Sequence, residues 1–170
     1  MNIFIANRQR ARNINPRKLK EIAETLLADL EVGAAELAIN LVAAHEMASI
    51  NEAFLQHAGS TDVITVDYAE QRGAGSPGAA GGAPGVACPA LHGEIFICVD
   101  EAISQSKTFR TTWQSEIVRY LIHGVLHLLG HDDRHAGVRR QMKREENRRL
   151  ARLSGKFSLA QIGGASKLRA

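Results

Sequence analysis

The 170-residue sequence predicts a single α+β domain, in which helices pack on a four-stranded mixed sheet and one central buried helix carries a metal motif. Three observations predict it. Four short apolar runs have strand length, the segments between them carry the 3.6-residue period of amphipathic helices, and one helical run is apolar on nearly every side. A chain of this length holds a sizeable core within one domain. The domain is expected over residues 1–153, with a Gly/Ala/Pro-rich loop at 69–91 and a flexible tail at 154–170.

Residues 2–6, Asn-Ile-Phe-Ile-Ala, alternate as a first strand. Pro16 opens a helix running to about Glu31, since its fixed φ suits the first helical position. Leu19, Ile22, Ala23, Leu26 and Leu27 form its buried stripe, and Gly33 is expected to end it. Residues 36–43 read as a second strand. A helix from about Glu46 to Gln56 follows, with Met47, Ile50, Phe54 and Leu55 on its buried side.

Residues 62–67 form a third strand and 93–99 a fourth, whose continuous apolarity predicts burial on both faces. The run from Arg72 to Pro89 is low in complexity and cannot bury enough apolar surface to offset its ordering entropy, so it predicts a mobile loop. The central helix runs from about Thr111 to Leu129. After a turn at Gly130, Val138, Met142, Leu150 and Leu153 give a last helix its packed stripe. No element is assigned between residues 100 and 110.

The chemistry concentrates in His123-Gly124-Val125-Leu126-His127-Leu128-Leu129-Gly130-His131-Asp132-Asp133-Arg134-His135. Histidines at i and i+4 leave a helix on the same face, about 5.4 Å apart along the axis, and zinc takes N and O donors in a tetrahedron. Gly130 suits the left-handed conformation that turns a chain back on itself. His123 and His131 would stand about 12 Å apart on an unbroken helix, too far to share one ion. Once the helix breaks, Asp133, ten residues after His123, has the spacing of the third ligand in H-x-x-x-H-x-x-G-x-x-H/D zinc hydrolases. His135 is the second candidate and His131 the third.

Zinc peptidases of the H-E-x-x-H kind place their general base beside the first histidine. Here that position is Gly124, so any proton acceptor must come from elsewhere. Glu116, seven residues before His123 and two turns away on the same face, is a candidate for orienting a ligand or handling a proton. A solvated glutamate near a helix N-terminus fits the same position.

His-Gly-Val-Leu-His-Leu-Leu-Gly-His-Asp-Asp resembles the signature H-G-x-L-H-L-x-G-Y-D-H of the YbeY-type rRNA maturation factors. The likeness extends to Ile50-Asn51, to Thr61-Asp62-Val63-Ile64-Thr65-Val66 and to Gly93-Glu94-Ile95-Phe96-Ile97, over roughly residues 2–153. The resemblance implies a zinc-dependent endoribonuclease specific for single strands, acting at the 3' end of 16S rRNA and in ribosome quality control. RNA, the small ribosomal subunit and its factors are the implied partners, with one Zn²⁺ held by His123, His127 and Asp133. A ribosome-assembly factor that binds RNA around a structural zinc is the alternative. Three positions depart from the pattern. Asp133 stands for the usual histidine and exchanges a neutral donor for an anion; His131 stands for a tyrosine. Leu55 stands for an arginine associated with RNA cleavage, and leucine cannot neutralise a phosphate.

Net charge is only +3, but it is unevenly spread. Arg8, Arg10, Arg12, Arg17, Lys18 and Lys20 precede the first acid, Glu21. Arg139, Arg140, Lys143, Arg144, Arg148, Arg149 and Arg152 follow the metal motif. Such faces track phosphates and give salt-dependent binding, although most charge runs are solvated helix faces. RNA rather than DNA is the expected nucleic acid. Cys88 and Cys98 form no C-x-x-C pair and read as reduced thiols. The apolar start is too short for a signal peptide and no run reaches membrane-span length, so cytoplasm is the expected location.

Overall fold

In a computed structural model, the structure describes residues 1–56, 58–68 and 90–164, with Leu55 placed by its backbone alone. Four strands, β1 (Asn2–Asn7), β2 (Ala34–Val42), β3 (Val63–Asp67) and β4 (Ala90–Cys98), form one sheet in the order β1-β2-β4-β3. β1 pairs with β2 and β2 with β4 in parallel, while β3 runs antiparallel to β4. The mixed sheet is therefore as expected.

Register explains why the inner strands are apolar. Ile3 pairs with Leu37, Ile39 with Ile95 and Leu41 with Ile97, so one sheet face is a continuous aliphatic layer. Helices α1 (Pro16–Asp29) and α4 (Trp113–Leu128) pack on it within the main core. On the opposite face Val42, Ile64, Phe96 and Cys98 form a second core with Met47 of α2 (Ala44–Leu55). β4 is thus buried on both sides, as its sequence predicts: Ile95, Phe96, Ile97 and Cys98 are all buried.

α1 buries the predicted stripe of Leu19, Ile22, Ala23, Leu26 and Leu27. The Asn15 side chain caps it by accepting from the Arg17 and Lys18 N–H groups. Its end differs from expectation: the left-handed residue is Glu31 (φ 57°), before Gly33 is reached. Phe54 is also a correction. It points outward at 61% exposure, because α2 meets the sheet through Met47 and Ile50.

The sequence pattern does not mark α3 (Val99–Phe109), which follows β4 directly, buries Val99, Ala102 and Ser106, and packs against α4. The last helix, α5 (Ala136–Lys156), buries Met142, Glu146, Leu150 and Leu153. Val138, expected in that stripe, is exposed, since α5 begins beyond the edge of the core. The expected tail also needs correcting in its described part. α5 continues to Lys156, a 3-10 helix spans Leu159–Ile162, and Ile162 is fully buried. Its carbonyl accepts from Asn15 N–H at 2.8 Å, and Gly163 bridges to Ile14. The predicted loop from Arg72 to Pro89, with Cys88, and the tail's last residues, 165–170, lie outside the described residues. Among the described residues no helix is long and apolar enough to cross a membrane.

Candidate metal centre

His123 and His127 lie on α4 where that helix leaves the core. Thr112 starts the helix by accepting from Ser115 N–H. Gly124, between the histidines, faces the sheet so closely that an added Cβ would stand 2.9 Å from Ile95 Cγ2. The position that holds the base in H-E-x-x-H peptidases has no room here for a side chain. The first histidine turns instead toward α5, where it meets Glu146.

The helix ends in a Schellman turn. Gly130 takes φ 87°, His131 N–H donates to the Leu126 carbonyl at 3.0 Å, and Gly130 N–H donates to His127 at 2.9 Å. This reversal does chemical work on His127, whose Nδ1 lies 3.0 Å from the His131 carbonyl oxygen. A carbonyl only accepts, so His127 Nδ1 carries the proton. His123 Nδ1 lies 2.6 Å from Glu146 Oε1, on α5. Burial pushes the Glu146 carboxyl up, but His123 and Lys143 outweigh it and hold the acid below its ordinary range. Glu146 is therefore ionised and accepts, and His123 Nδ1 carries its proton too.

Both Nε2 atoms are then left facing each other, 2.9 Å apart. Two lone pairs repel at that distance, so a cation, either a proton or a metal ion, must reconcile them. Burial lowers the His127 pKa, which disfavours the proton. Tetrahedral donors at about 2.0–2.1 Å from one zinc stand about 3.3 Å apart, close to the observed span. The donor set fits a divalent metal.

Of the three candidates for a third donor, the fold brings in Asp133. Its Oδ1 lies 3.9 Å from His127 Nε2, and the ligand atoms of His123, His127 and Asp133 all fall within 4.8 Å of one another. Asp132 turns to its own loop: the Arg134 N–H donates to it at 3.0 Å and holds its carboxyl below the usual range. His131 is exposed, and exposed His135 occupies the N-cap of α5, so neither joins the group. Arg139 Nε donates to the Asp133 carbonyl at 3.0 Å, pinning the loop that carries the third donor.

The Endoribonuclease YbeY family model matches residues 4–154, nearly the whole described domain. The chain belongs to the YbeY endoribonuclease family. An Endoribonuclease YbeY from Bacteroides fragilis is 30% identical over 82% of this chain and 88% of its own length. One from Syntrophotalea carbinolica is 31% identical over 91% of this chain and 97% of its own. A Thermotoga maritima protein solved in solution shares the fold at TM-score 0.59 and 20% identity, covering 97% of this chain and 99% of that one.

Around the donors of this YbeY-family chain, α3, α4 and α5 enclose an open cavity of about 560 Å³. Besides His123 and Asp133, it is lined by Glu116, Arg119, Arg139, Arg140 and Lys143. Glu116 is buried, not solvated; it accepts from the Thr111 hydroxyl at 2.6 Å and lies 3.6 Å from Arg119 Nε. It holds Arg119 in place and is not one of the grouped metal donors. The basic run on α5 divides in two. Arg148 and Arg149 pair with Glu145, and Arg152 with Asp29, away from the cavity, whereas Arg139, Arg140 and Lys143 line it.

Three residues at the candidate site are not singled out by the sequence pattern. Arg119 precedes His123 by one helical turn on the same stripe, a signal that was present in the spacing. Tyr120 lines the cavity, and its buried hydroxyl lacks a partner among the described residues. Glu146 had no signal, being one more charge in a charged run. The side chain of Leu55 lies outside the described residues.

Proposed function

We propose that this chain is a zinc-dependent endoribonuclease that cuts single-stranded RNA in rRNA maturation at the 16S 3' end and in ribosome quality control. The observation that carries the metal dependence is the facing pair of Nε2 atoms, 2.9 Å apart, with both Nδ1 atoms committed to acceptors. Family membership supports RNA as substrate. Small-subunit rRNA and its assembly factors are the partners this reading implies, in the cytoplasm. Histidine-rich donors favour zinc over harder cations.

His123, His127 and Asp133 would hold the ion, which would supply Lewis-acid polarisation of a phosphoryl oxygen and acidify water. The cavity cations meet the phosphodiester. Among the described residues Arg139 is hydrogen-bonded only to carbonyls, so its charge is not cancelled there, and Arg140 forms no ion pair with them. Together they place two positive charges on the cavity wall for the phosphates that flank the cut. Glu116 keeps the Arg119 guanidinium aimed at the same space and leaves proton transfer to water.

Metal content by mass spectrometry tests this reading. The expected result is one zinc per chain in the wild type and in His135→Ala, and none in His127→Ala or Asp133→Ala. Retention of zinc in Asp133→Ala breaks the ligand set, and loss in all three variants indicates a closed four-ligand site. A second reading, an RNA-binding assembly factor with a structural zinc, draws support from Leu55 and from Gly124, which leave the chain short of a phosphate-binding arginine and a base. Salt-sensitive RNA binding without any cleavage in the zinc-loaded wild type would select it.

A further inference from the structure

We propose that Glu146 is a positioning residue for the metal centre: from α5 its carboxylate fixes His123 as the Nδ1–H tautomer and so turns Nε2 toward His127 and Asp133. This rests on the metal reading of that group. Glu146 is only 5% exposed, in a helix whose other charged side chains mostly reach solvent. Burying a carboxylate costs free energy unless strong partners receive it. Glu146 has two. Lys143 Nζ stands 3.4 Å from Oε2 but its side chain is 59% exposed, which weakens that pair. His123 Nδ1 stands 2.6 Å from Oε1, a short charge-assisted bond between two mostly covered groups. The burial of Glu146 is explained by His123.

The two histidines solve the same problem by different means. His127 is oriented by the His131 carbonyl, which belongs to the helix-ending turn and which no side-chain substitution removes. His123 sits one turn earlier, where α4 offers its ring no free carbonyl, so its partner comes from 23 residues further on. A carboxylate there raises the donor strength of Nε2 as well as fixing the ring, because partial negative charge is passed through the Nδ1–H bond. It also joins α5, which carries Arg139, Arg140 and Lys143, to a donor of the centre.

Full-length wild type, Glu146→Gln and Glu146→Leu decide the point by two measurements. The first is zinc affinity in competition with a chromophoric chelator; the second is the tautomer of His123 in the metal-free protein, read from long-range imidazole ¹H–¹⁵N spectra. Glu146→Leu is expected to weaken zinc binding by about 10–100-fold and to leave His123 as a mixture of tautomers. Glu146→Gln keeps an acceptor without charge; it should preserve the tautomer and weaken binding on the order of fivefold. Zinc affinity unchanged in both variants overturns the proposal, as does a wholly Nδ1–H His123 in Glu146→Leu. A carboxylate that merely braced α5 would lower the melting temperature and leave the tautomer alone. If Glu146→Leu fails to fold, the affinity of Glu146→Gln decides by the same criterion. A wild type that binds no zinc defeats the metal reading, while the tautomer still tests Glu146.

Discussion

Two half-buried acidic clusters of this molecule, one around Glu94 and one at the end of α4, do opposite things. On the sheet face that carries α2, Glu94 accepts from Asn40 Nδ2 at 2.6 Å and from the Tyr68 hydroxyl at 2.7 Å. Both carboxylate oxygens are occupied by neutral donors of the chain itself, and the cluster is complete. At the end of α4, the polar atoms are sorted differently. Every available donor hydrogen points outward, to Glu146 and to the His131 carbonyl, and the acceptors of His123, His127 and Asp133 are left facing one another. A closed set of bonds stabilises a fold, whereas converging acceptors are an arrangement that could hold a cation.

The comparison can be broken most directly at His127. His127→Ala should reduce zinc affinity by about 100-fold or more, beyond what loss of an outer partner costs, with little change in thermal stability of the metal-free protein; titration with a competing chelator measures it. Glu94→Leu should do the reverse. It leaves buried Asn40 without its partner, at about 1–3 kcal/mol of stability in urea unfolding, while zinc stoichiometry stays at the wild-type value. A lost zinc in that variant would mean the two clusters are not independent.

Gly124→Ala tests the support common to the site and the sheet. The added methyl meets Ile95 at 2.9 Å inside the core. Overpacking of this kind should cost about 1–2 kcal/mol net of the better helix propensity of alanine, seen as a lower melting temperature. The smallest effect concerns pH. The hydrogen bond to Glu94 raises the Tyr68 pKa above its ordinary 10.0. Above pH 10 the unfolded chain releases this proton before the folded one does, so Tyr68 contributes stability that is present below pH 10 and fades as the pH rises. Tyr68→Phe should flatten that alkaline decline in a pH series of unfolding curves; an unchanged slope would remove Tyr68 from the closed cluster.

Periodicity made the α1 stripe and the two-sided burial of β4 legible, because both rest on large aliphatic residues at regular spacing. α3 was not legible for the converse reason. Its buried positions include Ala102 and Ser106, its first residue follows β4 at once, and no side chain caps it. Phe54 and Val138 failed because periodicity names a face of a helix but not how far the neighbouring core extends. His123, His127 and Asp133 could be placed from sequence, since eleven consecutive residues contain them and one glycine decides the turn. Glu146 could not, because its role depends on α5 folding back along α4. Neighbouring Glu145 has the same chemistry and spends it on Arg148 and Arg149.

The close approach of α4 to the sheet makes Gly124 and Ile95 two halves of one volume. Neither position is free to vary alone, because a methyl gained at one must be given up at the other. Combining Gly124→Ala with Ile95→Val should therefore cost less than the two changes apart, a non-additivity of the size seen for residues in contact, about 0.5–3 kcal/mol. The strand residue thus sets which side chain the helix tolerates between its two histidines, and a core position on the sheet limits what can stand beside the first of them.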